Sequence, residues 1–259
     1  MKKILLLSVL SSVLLTSLFA QTGREIMQNV MNSKKVNSSA MDIKMTLIDR
    51  DGETSTRRIQ TLILNENDLT KIITLFMEPA SVKNTRFLTI ENSGRADDQW
   101  IYLPALRKVK RIAAGDKDGS FMGSDFSYSD MGTTGSSVDD STQTVLREEK
   151  YNGRNCFVVE SIPNAGTDNN YGKYITWVDK LSWLTLKVEF YSKDGRVHIK
   201  ELNSENITQE NGHWFAKKIT METLESGHKT LLDIRQIKYD IPLNPGYFTT
   251  IFLETGRTK

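Results

Sequence analysis

The sequence predicts a mainly β protein with few helices, in which one large antiparallel sheet curls into a barrel or half-barrel. After Ala40, apolar and polar residues alternate with a period of two through most of the chain, which is typical of half-buried strands. Turn pairs such as Asn152-Gly153 and Asp194-Gly195 separate neighbouring stretches and indicate hairpins. The stretches amount to about a dozen strands, and a sheet of more than about ten strands normally curls or splits in two.

The first twenty residues are typical of a cleavable secretory signal. Two lysines precede an apolar run that serines interrupt, and small or polar residues lead towards Ala20, after which we expect cleavage although Leu18 is bulky at the minus-three position. The run is too short and too broken for a permanent membrane anchor. Gln21 stands where a lipoprotein would have cysteine. We therefore expect a periplasmic, unlipidated protein in which residues 21–259 form a single domain, because no change in composition marks a second one.

One amphipathic helix is predicted over residues 22–36. Thr22 can cap it, and Met27 and Met31 lie four residues apart on its apolar face. This methionine stripe has two interpretations. It can be ordinary packing of a helix on a sheet, or it can be the adaptable wall of a lipid site, since unbranched thioethers fit varied shapes.

Strands follow wherever the alternation holds between turn signals. They are predicted over residues 41–47, 54–64, 69–77, 85–91, 100–103, 106–113, 142–149, 154–162, 173–178, 184–191, 197–207, 214–224 and 230–239. Residues 132–141, rich in Gly, Ser and Thr, predict a surface loop. The single cysteine, Cys156, lies within a strand pattern and is expected to be a buried small hydrophobe.

The segment from residue 97 to residue 132 holds two unusual groups of side chains. Its second strand carries four cations, Arg107, Lys108, Lys110 and Arg111. They can protect an edge strand from pairing with other sheets, or they can bind an anionic head group or an acidic partner at a cavity rim. The loop that follows carries large apolar residues, which either form a small core of their own or close a ligand site: Phe121, Met122, Phe126, Tyr128 and Met131.

This segment resembles the signature of a known family. The run W-I-Y-L-P-A-L-R-K-V-K-R-I, followed by D-K-D-G-S-F-M-G-S-D-F-S-Y-S-D-M, is similar to the LolA-like outer-membrane lipoprotein-sorting proteins. The resemblance extends over about residues 41–239. It implies an open, strongly curved antiparallel sheet that forms an incomplete β-barrel, with a helical lid over an apolar cavity for acyl chains.

The resemblance also implies a function. It suggests a carrier that binds acyl lipids or lipoproteins and moves them between the envelope membranes, or to or from a lipid-exporting inner-membrane protein of the RND or another type, with transient contact with the membrane surface. The expected lipid-binding residues are Trp100, Tyr102, Phe121, Met122, Phe126, Tyr128, Met131, Met27 and Met31. The net charge of +2 and the expected export both argue against a nucleic-acid partner.

Known catalytic motifs are missing from the sequence. It contains no G-x-S-x-G, H-E-x-x-H or P-loop pattern, so neither a metal nor another cofactor is expected. Turn positions predict that His198, His213 and His228 do not form one metal site. Two alternatives to a carrier remain open: a lipid ester hydrolase that uses a serine of the 119–127 loop, and an envelope scaffold whose interior is filled.

Overall fold

The structure is a computed structural model that describes residues 21–132, 138–167 and 169–258. The predicted signal segment, residues 1–20, lies outside the described residues, as do residues 133–137 of the predicted surface loop. In the described part, neither helix has the length and apolar character needed to cross a bilayer.

The first half of the sheet is a meander of six antiparallel strands. Each strand pairs with the next one in sequence, because short turns connect them. In the first strand Ile43, Met45 and Leu47 are buried at every second position, as the alternation predicts. The strands are β1 Ser38–Ile48, β2 Thr54–Glu66, β3 Leu69–Glu78, β4 Arg86–Asn92, β5 Arg95–Leu103 and β6 Lys108–Arg111.

Seven further strands form the second half and complete a single sheet. They are β7 Ser141–Tyr151, β8 Arg154–Pro163, β9 Lys173–Asp179, β10 Thr185–Tyr191, β11 His198–Glu210, β12 His213–Thr223 and β13 His228–Tyr239. The halves join where β1 pairs with β13, with Ser39 opposite Tyr239. The described sheet has thirteen strands and stays open, with β6 and β7 at its two edges. The prediction of a curled antiparallel sheet is therefore confirmed.

Helix α1, Gly23–Ser33, packs on β8 and β9. The side chain of Thr22 accepts a hydrogen bond from the main chain of Glu25, whose carboxylate accepts one from the main chain of Thr22, so a capping box fixes the start of the helix. Ile26 and Val30 are buried in a cluster with β8 and β9. The helix ends three residues before the predicted end at residue 36.

A second helix was not predicted. Helix α2, Thr250–Thr255, follows a 3-10 turn at Pro245–Phe248, and Gly256 ends it in the left-handed conformation with φ of 67°. Its Phe252 and Leu253 are buried against β3 and β4 on the outer face of the sheet. Six residues are too few to show a helical period, so the sequence gives no signal for this element.

Residues 112–132 follow β6 and cross the inner face of the sheet, and we call them the strap. Phe121 of the strap contacts Phe76 of β3 and Phe87 of β4. Four residues later, Asp125 is hydrogen-bonded to Thr230 of β13. In a flat sheet β4 and β13 would lie about 20 Å apart, at roughly 4.8 Å per strand, which is more than four residues span. The sheet therefore curves around the strap.

Candidate functional site

An open cavity of about 630 Å³ lies between α1 and the inner face of β9–β13. Its size falls in the range of about 300–1,000 Å³ that is typical of small-molecule sites. Most of its wall is apolar and comes from side chains that include Met31, Val188, Leu202, Ile219, Ile234 and Ile237. The strap fills the other half of the curved interior, so the cavity is confined to the half formed by the later strands.

The sequence places these wall residues through strand alternation and one irregularity. Ile219 and Met221 lie two positions apart on β12 and therefore face the same side. Ile234 and Ile237 on β13 are three positions apart and would face opposite sides of a regular strand. The pairing of β13 with β1 shifts between Asp42 and Ile43, which leaves Arg235 without an opposite residue. This bulge turns both isoleucines toward the cavity.

Polar groups are sparse on the wall. The lining includes hydroxyl groups from several strands, among them Ser39, Thr176 and Ser204. Ser161 on β8 is buried, and its Oγ has no hydrogen-bond partner among the described residues. Burial raises the pKa of Tyr239, which also lines the cavity, to about 12, so its phenol stays protonated at neutral pH. The cavity thus offers a mainly apolar surface with neutral hydrogen-bonding groups and two charged residues, Lys34 and Asp130.

Three of the residues expected to bind lipid line this cavity. Met27 and Met31 approach it from α1, and Phe126 approaches it from the strap. Met27 also packs against the helix–sheet cluster, as the packing interpretation of the methionine stripe predicts.

Four other residues from the expected set lie in the core between the strap and the inner face of the sheet. The ring of Phe121 is fully buried, with centroids 5.0 Å from Phe87 and 5.7 Å from Tyr128. Met122 and Met131 pack against the same cluster. None of these four side chains is among the described residues that line the cavity. These side chains therefore pack against strands of the sheet, which differs from the alternative in which the loop forms a small core of its own.

Trp100 and Tyr102 lie on the opposite face of the sheet, which differs from their expected position at the cavity. Between them on β5, Ile101 faces the inner cluster, and alternation sends its two neighbours outward. There they pack against the cluster that contains α2. Since α2 was not predicted, the sequence offered no reason for aromatic side chains on the outer face.

The four cations also lie away from the cavity, and their expected position at its rim is corrected. β6 is an edge strand, as one of the two interpretations predicts, and five strands separate it from β13. Arg111 pairs with Asp98, and Lys110 lies 3.5 Å from Asp116. Lys108 is exposed, and Arg107 occupies the turn before β6 with φ of 50°.

Asp125 anchors the strap, a role that sequence reasoning missed. Its buried carboxylate accepts hydrogen bonds from the hydroxyls of Thr223 (2.6 Å) and Thr230 (2.7 Å) and lies 2.6 Å from Nδ1 of His228. Nζ of Lys200 donates to the main-chain oxygen of Asp125 at 2.7 Å. We call this group the strap anchor. Because Phe126 is the next residue, the anchor also fixes one wall of the cavity.

The three histidines have separate surroundings. His228 belongs to the strap anchor, whereas His198 lies 3.0 Å from the main-chain oxygen of Lys200. His213 lines the cavity, with its ring centroid 4.6 Å from that of Tyr239. The structure therefore does not bring the three imidazoles together.

Serine hydroxyls of the strap serve its turns. Ser120 Oγ donates to the main-chain oxygen of Ser124 at 2.6 Å, and Ser124 Oγ donates to that of Phe121 at 2.7 Å. Ser127 Oγ accepts from the main chain of Asp130 at 3.0 Å. In the described part of the chain, none of these hydroxyls is hydrogen-bonded to a histidine, so the geometry does not assemble a nucleophile with its base.

Known proteins with solved structures share this fold over most of the chain. A domain from Vibrio parahaemolyticus assigned to the outer membrane lipoprotein-sorting proteins is 33% identical, with a TM-score of 0.83 over 90% of this chain and 98% of that one. A DUF1329 family protein from Desulfovibrio piger is 27% identical, with a TM-score of 0.84 over 89% and 97% of the two chains. A LolA superfamily protein from Nitrosomonas europaea is 23% identical, with a TM-score of 0.70 over 90% and 100%, and shows the same fold.

Comparisons of sequence alone add less detail. Residues 68–255 match a family model described as an uncharacterized protein. No curated protein matches the chain. The family model and the structural relatives together span the strap, the cavity strands and α2, and they confirm the resemblance that residues 100–131 suggested. The chain belongs to the outer-membrane lipoprotein-sorting protein family.

Proposed function

We propose that this protein is a periplasmic carrier that holds the acyl chains of lipids or lipoproteins in the cavity between α1 and the sheet. The observation that carries the proposal is the mainly apolar cavity of about 630 Å³. A scaffold would fill its interior with side chains, and the strap does so on one half of the sheet only. The family relationship to lipoprotein-sorting proteins supports the same function.

The energetics of acyl chains explain why such a cavity is needed. Exposing an acyl chain to water costs about 0.8 kcal/mol per CH₂, or on the order of 10 kcal/mol for about fourteen carbons. A carrier must offer a surface nearly as apolar as the bilayer core. It must also release its ligand, and the side chains of Met27 and Met31 on α1 can adapt to both the filled and the empty cavity.

Lipid analysis combined with one matched pair of variants tests the proposal. Mass spectrometry of the purified protein should detect bound acyl lipid. Met31→Glu places a carboxylate on the cavity wall at a half-buried position, so the fold should remain while lipid retention falls at least about tenfold. Asn29→Glu adds the same charge to α1 at a position that does not line the cavity, and it should retain lipid. Equal lipid retention by the two variants would show that the cavity does not hold the lipid.

For β6 we propose contact with a membrane surface or with an acidic region of a lipid-exporting membrane protein. Lys108 is exposed at this edge of the sheet, and Leu106 beside it is 62% exposed. A basic patch next to an apolar side chain suits an anionic surface. The double variant Lys108→Glu/Lys110→Glu should reduce co-sedimentation with vesicles that contain phosphatidylglycerol.

A control with the same change in charge distinguishes this surface from an effect of net charge. Lys217 on β12 and Lys238 on β13 are exposed and lie far from β6 in the sheet order. The variant Lys217→Glu/Lys238→Glu should bind the vesicles like the unmodified protein. Equal losses in the two double variants would show that net charge, rather than the β6 surface, governs the interaction.

A further inference from the structure

We propose that Lys34 binds the anionic group of the ligand, so that the cavity selects amphiphiles with a carboxylate or phosphate on the acyl chain. This inference rests on the proposed carrier function and specifies its ligand class. Lys34 is the C-cap residue that follows the last turn of α1, and it is among the residues that line the cavity.

Lys34 is accessible to solvent and is also surrounded by protein atoms. Its side chain is exposed, yet burial lowers the pKa of its ammonium group. A residue that borders the open space of a cavity has both properties, because solvent in the cavity reaches it while protein atoms surround it. No described residue forms an ion pair or a side-chain hydrogen bond with this ammonium.

The charges on the wall leave Lys34 without a counterion. Asp130 supplies the other full charge in the described lining, and it is already engaged by the hydroxyl of Tyr171 at 3.2 Å and by the main chain of Ser127 at 2.8 Å. A cation held in a partly desolvated place without a partner is unfavourable. The carbonyl end of α1 offsets part of this cost through the helix dipole. A ligand anion would supply the missing partner.

The positions of the lining residues indicate how a bound ligand would be oriented in the cavity. Residues 35–37 connect Lys34 to the start of β1, so it lies near the strand ends that carry His213 and Tyr239. Phe126, Phe190 and Met221 line the region where those same strands reach the strap. An acyl chain whose head group contacts Lys34 would therefore extend along the strands toward apolar side chains.

Isothermal titration of the delipidated protein with three probes that share one chain length tests the inference. Dodecanoate carries a carboxylate, dodecyl phosphate carries a phosphate, and monododecanoylglycerol is neutral. The protein should bind at least one anionic probe about tenfold more tightly than the neutral probe, which corresponds to about 1.4 kcal/mol. The relative affinities of the two anionic probes identify the preferred head group.

Two neighbouring lysines provide the matched variants. Lys34→Gln should abolish the preference for an anion, so that the anionic probes bind no more tightly than the neutral probe. Lys35→Gln, at an exposed position that does not line the cavity, should keep the preference. If Lys34→Gln keeps the preference while all probes bind, the role of Lys34 is refuted and the carrier function stands. If no probe binds to the unmodified protein, both proposals fail.

Discussion

Replacing Asp125 with alanine should destabilise the protein strongly, because one carboxylate holds the middle of the chain against the C-terminal strands. The side chain accepts hydrogen bonds from Thr223 and Thr230 and contacts His228, and it is 3% exposed. Asp125→Ala removes all three interactions at once. It also leaves one buried hydroxyl, one half-buried hydroxyl and an imidazole without their carboxylate acceptor.

The expected magnitude follows from these contacts. Hydrogen bonds to a charged group contribute about 1.5–3 kcal/mol each, so three would total roughly 4.5–9 kcal/mol. Part of this loss is recovered, because the variant no longer has to bury a carboxylate away from water. Removing one partner of a buried charged interaction typically costs about 3–5 kcal/mol. We expect a loss within that range. With a urea dependence of roughly 2–3 kcal/mol per molar, the midpoint should fall by about 1–2.5 M.

Urea unfolding monitored by tryptophan fluorescence measures this shift. Asp118→Ala provides the control, because Asp118 lies in the same strap but is exposed and forms no hydrogen bond with a described residue. A double-mutant cycle with Thr223→Val should show a coupling energy of about 0.5–3 kcal/mol between the two positions.

Two outcomes would refute the role of the strap anchor. If the midpoint of Asp125→Ala falls no further than that of Asp118→Ala, the strap does not depend on the anchor. If the midpoint falls but the cycle shows no coupling, the cost arises from another contact of the strap. In either case the anchor would not explain how Phe126 is held at the cavity wall.

Three further predictions concern regions away from the anchor. Leu253→Ala should cost about 2–5 kcal/mol in urea unfolding, because this fully buried side chain fixes α2 to the sheet; a loss below 1 kcal/mol would contradict that packing. Burial raises the pKa of the Cys156 thiol to about 11, so at pH 8 a thiol reagent should modify native protein far more slowly than unfolded protein. Hydrogen bonds from Arg95, Arg111 and Asn92 hold the pKa of Asp98 well below its ordinary value. Because the pKa of Asp98 is lower in the folded than in the unfolded protein, its carboxylate stabilises the fold at pH values above the unfolded-state pKa. This stabilisation is lost as the pH falls below about 4, so Asp98→Asn should flatten the acid limb of a stability–pH profile.

The strands were predictable because their signal is local. Alternation requires only neighbouring residues, and turn pairs such as Asn211-Gly212 mark where a strand reverses. The same logic identifies wall residues once the inner face is known, as for Ile219 and Met221 on β12. Sequence alone does not tell which half of a curved sheet stays empty, and that choice depends on where the strap runs.

The strap shows why the site was only partly predictable. Its large apolar residues attracted attention, but their partners lie elsewhere in the chain: Phe76 and Phe87 surround Phe121. Asp125 resembles an ordinary loop acid, and its partner Thr230 is 105 residues away. A side chain whose hydrogen-bond partners lie so far away in the sequence leaves no periodic pattern that sequence reasoning could detect. Lys34 is similar, since its place at the cavity depends on where α1 ends.

The pairing of β1 with β13 has a consequence for how this chain is made. Ser38 donates a hydrogen bond to the main-chain oxygen of Ile241 across 203 residues, so the seam at the centre of the sheet needs strands from both ends of the chain. The hairpins on either side can form early, because their partners are adjacent in sequence. Closing a loop of this length is slow compared with forming a hairpin. Until synthesis reaches the last strands, the first meander has an unpaired, apolar border at β1, which makes this border the place where a nascent chain most needs protection from aggregation.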